Sequence, residues 1–408
     1  MKQINWASGD VSSVPYRVYT DPELFQLEQE RIFRGPVWIY AGLECELPNP
    51  GDYITTYIGT VPVIVSRNEQ GAVTALVNRC AHRGAIVRRE RRGNANSHAC
   101  IYHQWTYDLD GKLTGVPYRR GIDGAGGYPP DFDPACHGLP ALRVAVFSRV
   151  IFVSFSDAVP PIEDYLGEEL CSRLKRTFSR KVYLLGYQRQ RIRGNWKLIV
   201  ENVKDAYHGA LLHAFNSRFG NFRSTQRGRT TLGGGGLHSL LTTFGMEGEA
   251  DTARALAQVQ TFKPGINLED KTSLRYIDEF KDGIVTSIMS IFPNMLSIQG
   301  RNRPTIRQVR PKSHNEFELV WTYFGYDGDT EDMRLLRVKQ ANFLGPGGYV
   351  SVEDSEAIEL VQKAIEAQAG DGSGVIALGG RTVEDQEHLV TEVAIRGFWQ
   401  GYRKLMAI

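Results

Sequence analysis

The feature that most constrains this chain is a pair of short segments that each contain one cysteine and one histidine. Cys80 and His82 form the first pair, Cys100 and His103 form the second, and residues 83–99 separate them. Thiolates and imidazoles together suit either a zinc ion or an iron–sulfur cluster. The sequence therefore predicts a metal site in the N-terminal part of the chain.

The arrangement of these ligands distinguishes two kinds of site. A zinc finger needs a helix that carries two histidines, whereas both pairs here lie in a β-rich context and are interpreted as loops. In a Rieske [2Fe-2S] centre two cysteines bind one iron and two histidines bind the other, so two mixed loops meet that geometry. A zinc site is the alternative. His98, two residues before Cys100, is interpreted as a loop residue and not as a ligand.

The segments "CAHRG" at 80–84 and "CIYHQW" at 100–105 resemble those of the Rieske non-haem iron aromatic-ring-hydroxylating oxygenases. Respiratory Rieske proteins carry an additional cysteine in each loop, and the corresponding positions here are not cysteine. The resemblance favours the oxygenase branch, and within it the large catalytic subunit. It extends over essentially the whole chain and is greatest to the terephthalate, salicylate, anthranilate and 2-halobenzoate oxygenases.

Length and composition set limits on the class of protein. A chain of 408 residues exceeds the usual size of one hydrophobic core, so two domains are expected. The 48 Lys+Arg residues nearly balance the 46 Asp+Glu residues, which does not indicate nucleic acid or a membrane as a partner. Five scattered cysteines do not indicate a disulfide scaffold, and the start of the chain has no apolar signal segment. A cytoplasmic protein is expected.

The pattern along the chain predicts three segments. Residues 1–40 contain a helical pattern, in which Asp21 and Pro22 are typical of a helix start, and this segment is expected to pack on the catalytic domain. Residues 41–157 consist of short β-rich runs and form the predicted Rieske domain. Residues 158–408 combine strands with long helices. The predicted fold is α+β, with an all-β cluster domain that precedes, or is inserted in, a catalytic domain built on an antiparallel sheet flanked by helices.

A second group of candidate ligands lies in "WKLIVENVKDAYHGALLHAF", residues 196–215, on a predicted helix near 196–213. His208 and His213 differ by five positions, so on an ideal helix they would point roughly 140° apart. Gly209 could accommodate a kink or bulge that brings the two imidazoles together. From these residues alone, two unrelated histidines on a core helix remain the alternative.

The resemblance gives this segment a role, because the family carries Asn-x-x-Asp-x-x-His-x-x-x-x-His here. The pattern is matched in full by Asn202, Asp205, His208 and His213. It implies a mononuclear Fe(II) held by two histidines and one carboxylate, with open positions for O₂. A family-like segment at 342–364 aligns Asp354 with that carboxylate. Glu353 is the nearby competitor and Glu356 a weaker one.

The family's electron path implies an assembly. By resemblance, the Asp205 carboxylate bridges His208 to the cluster ligand His103 of a neighbouring subunit, which requires a trimer of catalytic subunits, commonly α₃β₃ with small β subunits. From spacing alone, Asp205 could equally orient His208 and nothing more. The implied cofactors are the [2Fe-2S] cluster and the mononuclear iron. NAD(P)H electrons are expected to arrive through a separate flavin reductase, with or without a ferredoxin.

The substrate is inferred from the strand "RNRPTIRQVRPKS" at 301–313. Alternation places Arg303, Thr305 and Arg307 on one face and Arg310 on the other. By resemblance Arg307 corresponds to a carboxylate-binding arginine, whereas a surface salt bridge is the alternative. Terephthalate has a second carboxylate, which needs a second cation. By resemblance, the position at which terephthalate oxygenases have an arginine is Leu389 here. An aromatic monocarboxylate is therefore expected, such as the ortho-substituted benzoates anthranilate, salicylate or a 2-halobenzoate, with terephthalate as the alternative.

Other expectations concern the cavity walls, the basic run and the class of protein. The predicted substrate-contacting residues beside Arg307 are Val203, Ala206, Leu212 and Met289. The basic run at 88–92 is interpreted as a solvated loop, with a docking patch for an acidic electron-transfer partner as the alternative. A non-catalytic Rieske electron-transfer protein is the competing hypothesis of another class, and a zinc-stabilised binding module is a third.

Overall fold

The computed structural model describes residues 4, 6, 11–213, 215–216, 222, 226–245 and 269–408. The chain forms two compact units. Phe33–Ile162 is the smaller unit. The larger unit combines the N-terminal stretch that ends at Ile32 with Glu163–Ile408.

The N-terminal stretch contributes a short strand and a helix to the larger unit. Strand β1 is Ser13–Pro15 and helix α1 is Pro22–Arg31. The Asp21 carboxylate accepts hydrogen bonds from the backbone N–H groups of Glu23 and Leu24, at 2.8 and 3.2 Å. Since these are two of the first unpaired donors of the helix, Asp21 defines where α1 begins.

The smaller unit consists of antiparallel sheets. Its strands are β2 (Ile39–Leu43), β3 (Asp52–Ile58), β4 (Val61–Arg67), β5 (Val73–Val77), β6 (Arg92–Asn94), β7 (His98–Ala99), β8 (Thr106–Tyr107), β9 (Leu113–Gly115), β10 (Arg143–Phe147) and β11 (Val150–Ser154). The strand orders are β5-β4-β3-β6, β7-β8-β9 and β10-β11-β2. One buried cluster joins Ile64 and Leu76 to Trp105, and it includes the side chains of Cys80 and Cys100.

The larger unit is built on a seven-stranded antiparallel sheet. Its remaining helices and strands are α2 (Ile162–Leu166), α3 (Glu168–Thr177), β12 (Val182–Ile192), α4 (Trp196–Lys204), α5 (His208–Leu211), β13 (Gly228–Gly233), β14 (His238–Phe244), β15 (Ile284–Ile291), β16 (Met295–Gly300), β17 (Arg303–Ser313), β18 (Glu316–Tyr326), α6 (Glu331–Leu344), α7 (Ser351–Glu366), β19 (Ser373–Val375) and α8 (Val393–Met406). The sheet order is β12-β18-β17-β16-β15-β14-β13, and β19 pairs with β1. The predicted α+β class, with an antiparallel sheet and helices, is confirmed.

One predicted helix is interrupted. Helix α4 ends at Lys204 and α5 begins at His208, so the helix predicted over 196–213 is wrong in its continuity. Asp205 has extended backbone angles, φ −99° and ψ 100°. Its Oδ1 accepts hydrogen bonds from the backbone N–H groups of Tyr207 and His208, at 3.1 and 3.2 Å. The helix stops here because the aspartate side chain binds donors that a continuous helix would use.

No helix in the described part of the chain combines the length and the apolar composition needed to cross a lipid bilayer.

Candidate metal centres

The two Cys/His loops of the smaller unit present their side chains as a buried pair and a more exposed pair. Cys80 and Cys100 are buried, whereas His82 and His103 are half-buried. Each loop is closed by a tight backbone hydrogen bond, from Cys80 N–H to the Ala85 carbonyl and from Cys100 N–H to the Trp105 carbonyl, both at 2.8 Å. The sequence predicted these residues as ligands, and the fold brings both loops together.

In this site the two histidines lie beside each other, and so do the two cysteines. The imidazole rings of His82 and His103 have centroids 4.5 Å apart. Burial raises the pKa of the Cys100 thiol, and the neighbouring Cys80 raises it further. Two thiols on one side and two imidazoles on the other match a two-iron cluster in which each iron has its own kind of ligand.

Neighbouring residues fix the ligands. Trp105 stacks on the ring of His82, with centroids 4.9 Å apart and planes inclined by 7°. The Tyr107 hydroxyl lies 3.2 Å from Cys80 Sγ and accepts a hydrogen bond from the Ala81 N–H at 3.1 Å. Buried Nδ1 of His82 has no hydrogen-bond partner among the residues that the structure describes. A buried ring nitrogen without a partner fits a metal-ligating histidine.

The pairing of the ligands favours a cluster over a single zinc ion in the loops. The two imidazoles lie beside each other and the two thiols interact with each other, as they do when each kind of ligand binds its own iron. In the described part of the chain, the side chains whose donor atoms converge as a single ion requires are His208, His213 and Asp354, with these atoms within 4.8 Å of one another. A cluster, which is larger than one ion, suits the four Cys/His side chains better.

The second candidate centre lies in the larger unit, where α4, α5 and α7 meet. The break at Asp205 lets His208 and His213 face each other, with ring centroids 5.3 Å apart. Oδ1 of Asp354, in the first turn of α7, lies 3.4 Å from His208 Nε2 and 3.2 Å from His213 Nε2. Two imidazoles and one carboxylate converging in this way form the donor set of a facial triad.

Charge in this centre favours a cation. Burial lowers the pKa of His208, but Asp205 and Asp354 outweigh it and raise that pKa to about 10. Burial raises the pKa of Asp354, but the two histidines lower it well below its usual range. The side chains therefore stabilise positive charge between them, which is what a divalent metal ion requires.

Polar side chains around the triad hold its members in place. Asn202 Nδ2 donates a hydrogen bond to Asp354 Oδ1 at 3.1 Å and lies 3.4 Å from His208 Nε2. Glu353 Oε2 lies 2.8 Å from His213 Nδ1, on the far side of the ring from Asp354. Glu353, weighed from sequence as a competing ligand, therefore contacts His213 as an orienting carboxylate. Its position directly before Asp354 was the only sequence signal for it.

Asp205 contacts His208 less closely than Glu353 contacts His213. Asp205 Oδ2 lies 3.5 Å from His208 Nδ1, which is beyond ordinary hydrogen-bond length. Buried His208 Nδ1 has no hydrogen-bond partner within the described residues. Asp205 thus acts on His208 through its charge and through the hydrogen bond to the backbone N–H where α5 begins.

An apolar cavity adjoins the triad in the larger unit. It encloses about 140 Å³, and its walls include Val203, Ala206, Ile288 and Trp321 together with the three candidate iron ligands. An engineered apolar cavity of about 150 Å³ is large enough for benzene. The cavity therefore has room for one aromatic ring beside the candidate iron.

Two predicted wall residues lie elsewhere. On β15 the cavity is lined by Thr286 and Ile288, so alternation turns buried Met289 to the other face. Leu212, just after α5, is partly exposed and is not a wall residue of the cavity. These two positions correct the prediction, whereas Val203 and Ala206 do line the cavity. Leu389 packs on Ala206 and Leu241 behind the wall.

Two buried arginines of β17 also line the cavity. Arg303 and Arg307 lie on the face that strand alternation predicted, and Arg310 instead pairs with Glu318 at 3.4 Å. Burial lowers the pKa of Arg307 to about 10, so it stays charged near neutral pH. Its guanidinium carbon lies 4.9 Å from the Trp321 ring centroid. Arg307 therefore lies at the cavity as a buried cation and not at the surface, where the alternative placed it in a salt bridge.

The basic run in the smaller unit is partly structural. Arg88 Nε donates a hydrogen bond to His98 Nδ1 at 3.1 Å, and the Arg88 guanidinium lies 4.8 Å from the Tyr53 ring centroid. The solvated-loop prediction is therefore wrong for Arg88. His98 is fully buried in β7, not in a loop, and its Nε2 lies 3.1 Å from Ser66 Oγ.

Two protein-family models match the chain. The ring hydroxylating alpha subunit (catalytic domain) matches residues 176–408. The Rieske [2Fe-2S] domain matches residues 37–126. Together they imply a Rieske cluster and a mononuclear iron as cofactors.

Full-length relatives are similar to this chain. The large subunit of anthranilate 1,2-dioxygenase from Burkholderia cepacia is 44% identical over 99% of this chain and 95% of that protein. Terephthalate 1,2-dioxygenase, terminal oxygenase component subunit alpha 2, from Comamonas sp is 41% identical over 99% of this chain and 97% of that protein. The large oxygenase component of salicylate 5-hydroxylase from Ralstonia sp is 41% identical over 98% of this chain and 96% of that protein.

A solved structure supports the fold. Naphthalene 1,2-dioxygenase from Rhodococcus sp. superposes with a TM-score of 0.80 at 24% identity, over 97% of this chain and 94% of that chain. The catalytic-domain model spans more than half of the chain, and the relatives match almost all of it. The chain therefore belongs to the ring-hydroxylating oxygenase alpha subunits that combine a Rieske [2Fe-2S] domain with a catalytic domain.

Proposed function

We propose that this subunit hydroxylates the ring of an aromatic monocarboxylate, most specifically an ortho-substituted benzoate such as salicylate, anthranilate or a 2-halobenzoate. The observation that carries the proposal is the one-ring cavity between the His208, His213 and Asp354 side chains and the buried, charged Arg307. The names of the relatives, which act on anthranilate, terephthalate and salicylate, agree with an aromatic acid.

The ligand assignments are part of the same proposal. Cys80 and Cys100 hold one iron of the cluster, and His82 and His103 hold the other. The mononuclear iron is held by the side chains of His208, His213 and Asp354. When bound, the cluster stores an electron and the mononuclear iron activates dioxygen.

The residues around the substrate perform separate tasks. Arg307 binds the carboxylate through its planar fork of donors and so sets the position of the ring. Val203 and Ala206 form apolar walls that exclude water from the reacting carbons. Asn202 holds the Asp354 carboxylate by its hydrogen bond at 3.1 Å.

Electron delivery involves other proteins. The family works with reductase or ferredoxin partners, and we propose the same source of NAD(P)H electrons here. We propose further that Asp205 links His208 to His103 of a neighbouring subunit in a trimer, with small β subunits completing an α₃β₃ assembly. The support is that His103 is half-exposed at its loop and that the Asp205 charge faces the free nitrogen of His208.

The domain assignment follows this division of labour. We propose that residues 41–157 form the cluster domain, that residues 158–408 form the catalytic domain, and that residues 1–40 pack on the catalytic domain. The compact units support this assignment for the stretch that ends at Ile32, which groups with Glu163–Ile408, whereas residues 33–40 group with the smaller unit.

Terephthalate is the second candidate substrate. The aligned position for its second cation is Leu389, which is buried behind Ala206. Burying an unpaired carboxylate near that side chain would cost several kcal/mol. We therefore rank terephthalate below the monocarboxylates.

Product analysis tests the proposal. The purified subunit, reconstituted with a reductase and NADH, is incubated with salicylate, anthranilate, 2-chlorobenzoate and terephthalate, and phenol serves as a matched ring without a carboxylate. Hydroxylated products are expected from the ortho-substituted acids and none from phenol. A strong preference for terephthalate, or turnover of phenol as fast as of the acids, would contradict the proposal.

A further inference from the structure

The cavity contains a second buried arginine for which the proposed carboxylate site has no use. Arg303 is 6% exposed, and burial lowers the pKa of its guanidinium. Its Nε and Nη1 atoms, like Nε of Arg307, have no hydrogen-bond partner among the described residues. A buried charged group with unpaired donors needs a partner, and both guanidiniums line the cavity.

Arg303 and Arg307 approach the cavity from one strand. They are four residues apart on β17, so their side chains leave the same face of the sheet. Arg307 lies over Trp321 on β18, whereas Arg303 Nη2 lies 3.6 Å from the position that a Cβ on Gly300 of β16 would occupy. The charge of Arg303 also lowers the pKa of Arg307, so the two cations are close enough to repel each other. The two guanidiniums therefore lie near each other and can each donate hydrogen bonds to a different group of one bound molecule.

The acidic group that acts on the Arg303 guanidinium is Tyr323, whose hydroxyl already donates a hydrogen bond to Gln188 Oε1 at 2.7 Å. Within the described residues, neither Arg303 nor Arg307 forms an ion pair like the one between Arg310 and Glu318. An acceptor on the bound molecule is the partner that Arg303 lacks.

We propose that Arg303 is a specificity-determining residue that donates hydrogen bonds to an acceptor substituent beside the substrate carboxylate held by Arg307. The inference rests on the proposed function. A guanidinium has only donors, so it matches a hydroxyl, phenolate or halogen and opposes an amine, which presents its own N–H groups. The substrates favoured are therefore acids of the salicylate and 2-halobenzoate type over anthranilate.

Equilibrium binding to the iron-loaded protein without oxygen tests this assignment independently of turnover. The dissociation constants of salicylate, anthranilate and unsubstituted benzoate are measured by calorimetry for the wild type and Arg303→Met. The wild type is expected to bind salicylate about ten- to hundredfold more tightly than benzoate, because a hydrogen bond to a charged donor is made only by salicylate. In Arg303→Met the two constants are expected to become nearly equal.

Two further variants serve as controls. Arg310→Met removes a cation of the same strand that pairs with Glu318, and it should leave the salicylate-to-benzoate ratio unchanged. Arg303→Lys keeps the charge if the methionine variant does not fold, and it should retain only part of the preference, since an ammonium lacks the planar fork.

The outcomes separate this inference from the proposed function. If Arg303→Met weakens all three acids equally, Arg303 grips the shared carboxylate and the inference is overturned while the proposed function stands. Equal binding of salicylate and benzoate by the wild type, or tighter binding of anthranilate than of salicylate, overturns it as well. If the wild type binds none of the acids, the proposed function itself fails and the inference fails with it.

Discussion

At the scale of single residues, each candidate iron-binding histidine has its own carboxylate, and the two carboxylates act differently. Glu353 contacts His213 Nδ1 at hydrogen-bond distance, 2.8 Å, whereas Asp205 lies 3.5 Å from His208 Nδ1. A carboxylate in hydrogen-bond contact with a ligating imidazole fixes its orientation and raises its basicity. Glu353 is therefore the residue on which the geometry of His213 depends most.

Replacing Glu353 with glutamine should weaken iron binding. The change removes the charge that orients His213, and loss of such a partner typically costs about 10- to 100-fold in metal affinity. Iron retained by the purified protein during titration with a chelator measures the effect. Glu356→Gln, an exposed change on the same helix, is the matched control. Equal retention of iron by both variants would show that Glu353 does not position the ligand.

Turnover should depend on the negative charge of Asp205 and not only on the backbone hydrogen bonds that its side chain accepts. Asparagine keeps the hydrogen bonds to the Tyr207 and His208 N–H groups, while alanine removes them at a cost of about 1 kcal/mol. Asp205→Asn and Asp205→Ala should both halt turnover and leave the cluster's visible spectrum intact, but only the alanine variant should lose stability. Normal turnover in Asp205→Asn would restrict Asp205 to a capping role.

Much of the candidate site could be predicted from residue identity. The proposed cluster ligands and the Asn-x-x-Asp-x-x-His-x-x-x-x-His pattern stand out in sequence because their chemistry depends on residue type and spacing. The role of Glu353 and the position of Met289 could not be predicted in this way. They depend on which face of α7 or β15 meets the cavity, and that is decided by the packing of distant strands.

At the scale of elements, one buried carboxylate of helix α1 holds this N-terminal helix against α4 and α8 of the larger unit. Glu28 of α1 accepts a hydrogen bond from the Trp196 indole of α4 at 2.7 Å, pairs with Lys197 and accepts from the Tyr402 hydroxyl of α8. Both Glu28 and Lys197 are fully buried. Burial lowers the pKa of Lys197, and Glu28 opposes that effect.

Replacing Glu28 with alanine should be strongly destabilising. The change leaves the Lys197 ammonium buried without its partner, for which about 3–5 kcal/mol is typical. Urea unfolding followed by tryptophan fluorescence measures the loss. Glu30→Ala, on the exposed face of the same helix, should stay within about 0.5 kcal/mol of the wild type. A Glu28→Ala variant as stable as Glu30→Ala would mean that the network does not hold α1 in place.

His238 should make the larger unit less stable in mild acid. Its ring bridges two elements, since Nδ1 accepts from the Phe292 N–H at 3.0 Å and Nε2 donates to the Tyr165 carbonyl at 2.9 Å. Burial, helped by the charge of Lys204, lowers its pKa to about 3. The unfolded chain, in which a histidine has a pKa near 6.5, therefore binds more protons between these values, so stability is lost as the pH falls.

The expected loss is about 1.6 kcal/mol between pH 6.5 and pH 5. Denaturant midpoints measured across this range should fall more steeply for the wild type than for His238→Gln, which has no titrating ring. Parallel slopes for the two proteins would show that His238 is not held neutral by the fold.

Element boundaries were predictable where a local signal sets them and not where tertiary contacts do. Asp21 and Pro22 mark the start of α1 correctly, because capping is a local interaction. The helix predicted over 196–213 was placed without the break at Asp205, because tertiary contacts decide whether an aspartate ends a helix at a given position. In the folded chain the break lets the rings of His208 and His213 face each other.

At the scale of the whole molecule, a β-rich unit carries the proposed cluster ligands and a helix-and-sheet unit carries the proposed iron ligands. The alternation of short strands with turns predicts the first, and mixed strands and long helices predict the second. The strand order of the seven-stranded sheet could not be predicted, because β12 pairs with β18 across more than a hundred residues. Such pairings follow from burial of the whole sheet and leave no local signal.

The central claim is that one chain assembles two separate iron centres. The measurement that tests it most directly is the content of iron and acid-labile sulfide per chain, in the wild type and in His213→Ala. We expect about three irons and two sulfides in the wild type, and about two of each in the variant with an unchanged cluster spectrum. Two irons and two sulfides in both proteins would contradict the claim and leave only the cluster.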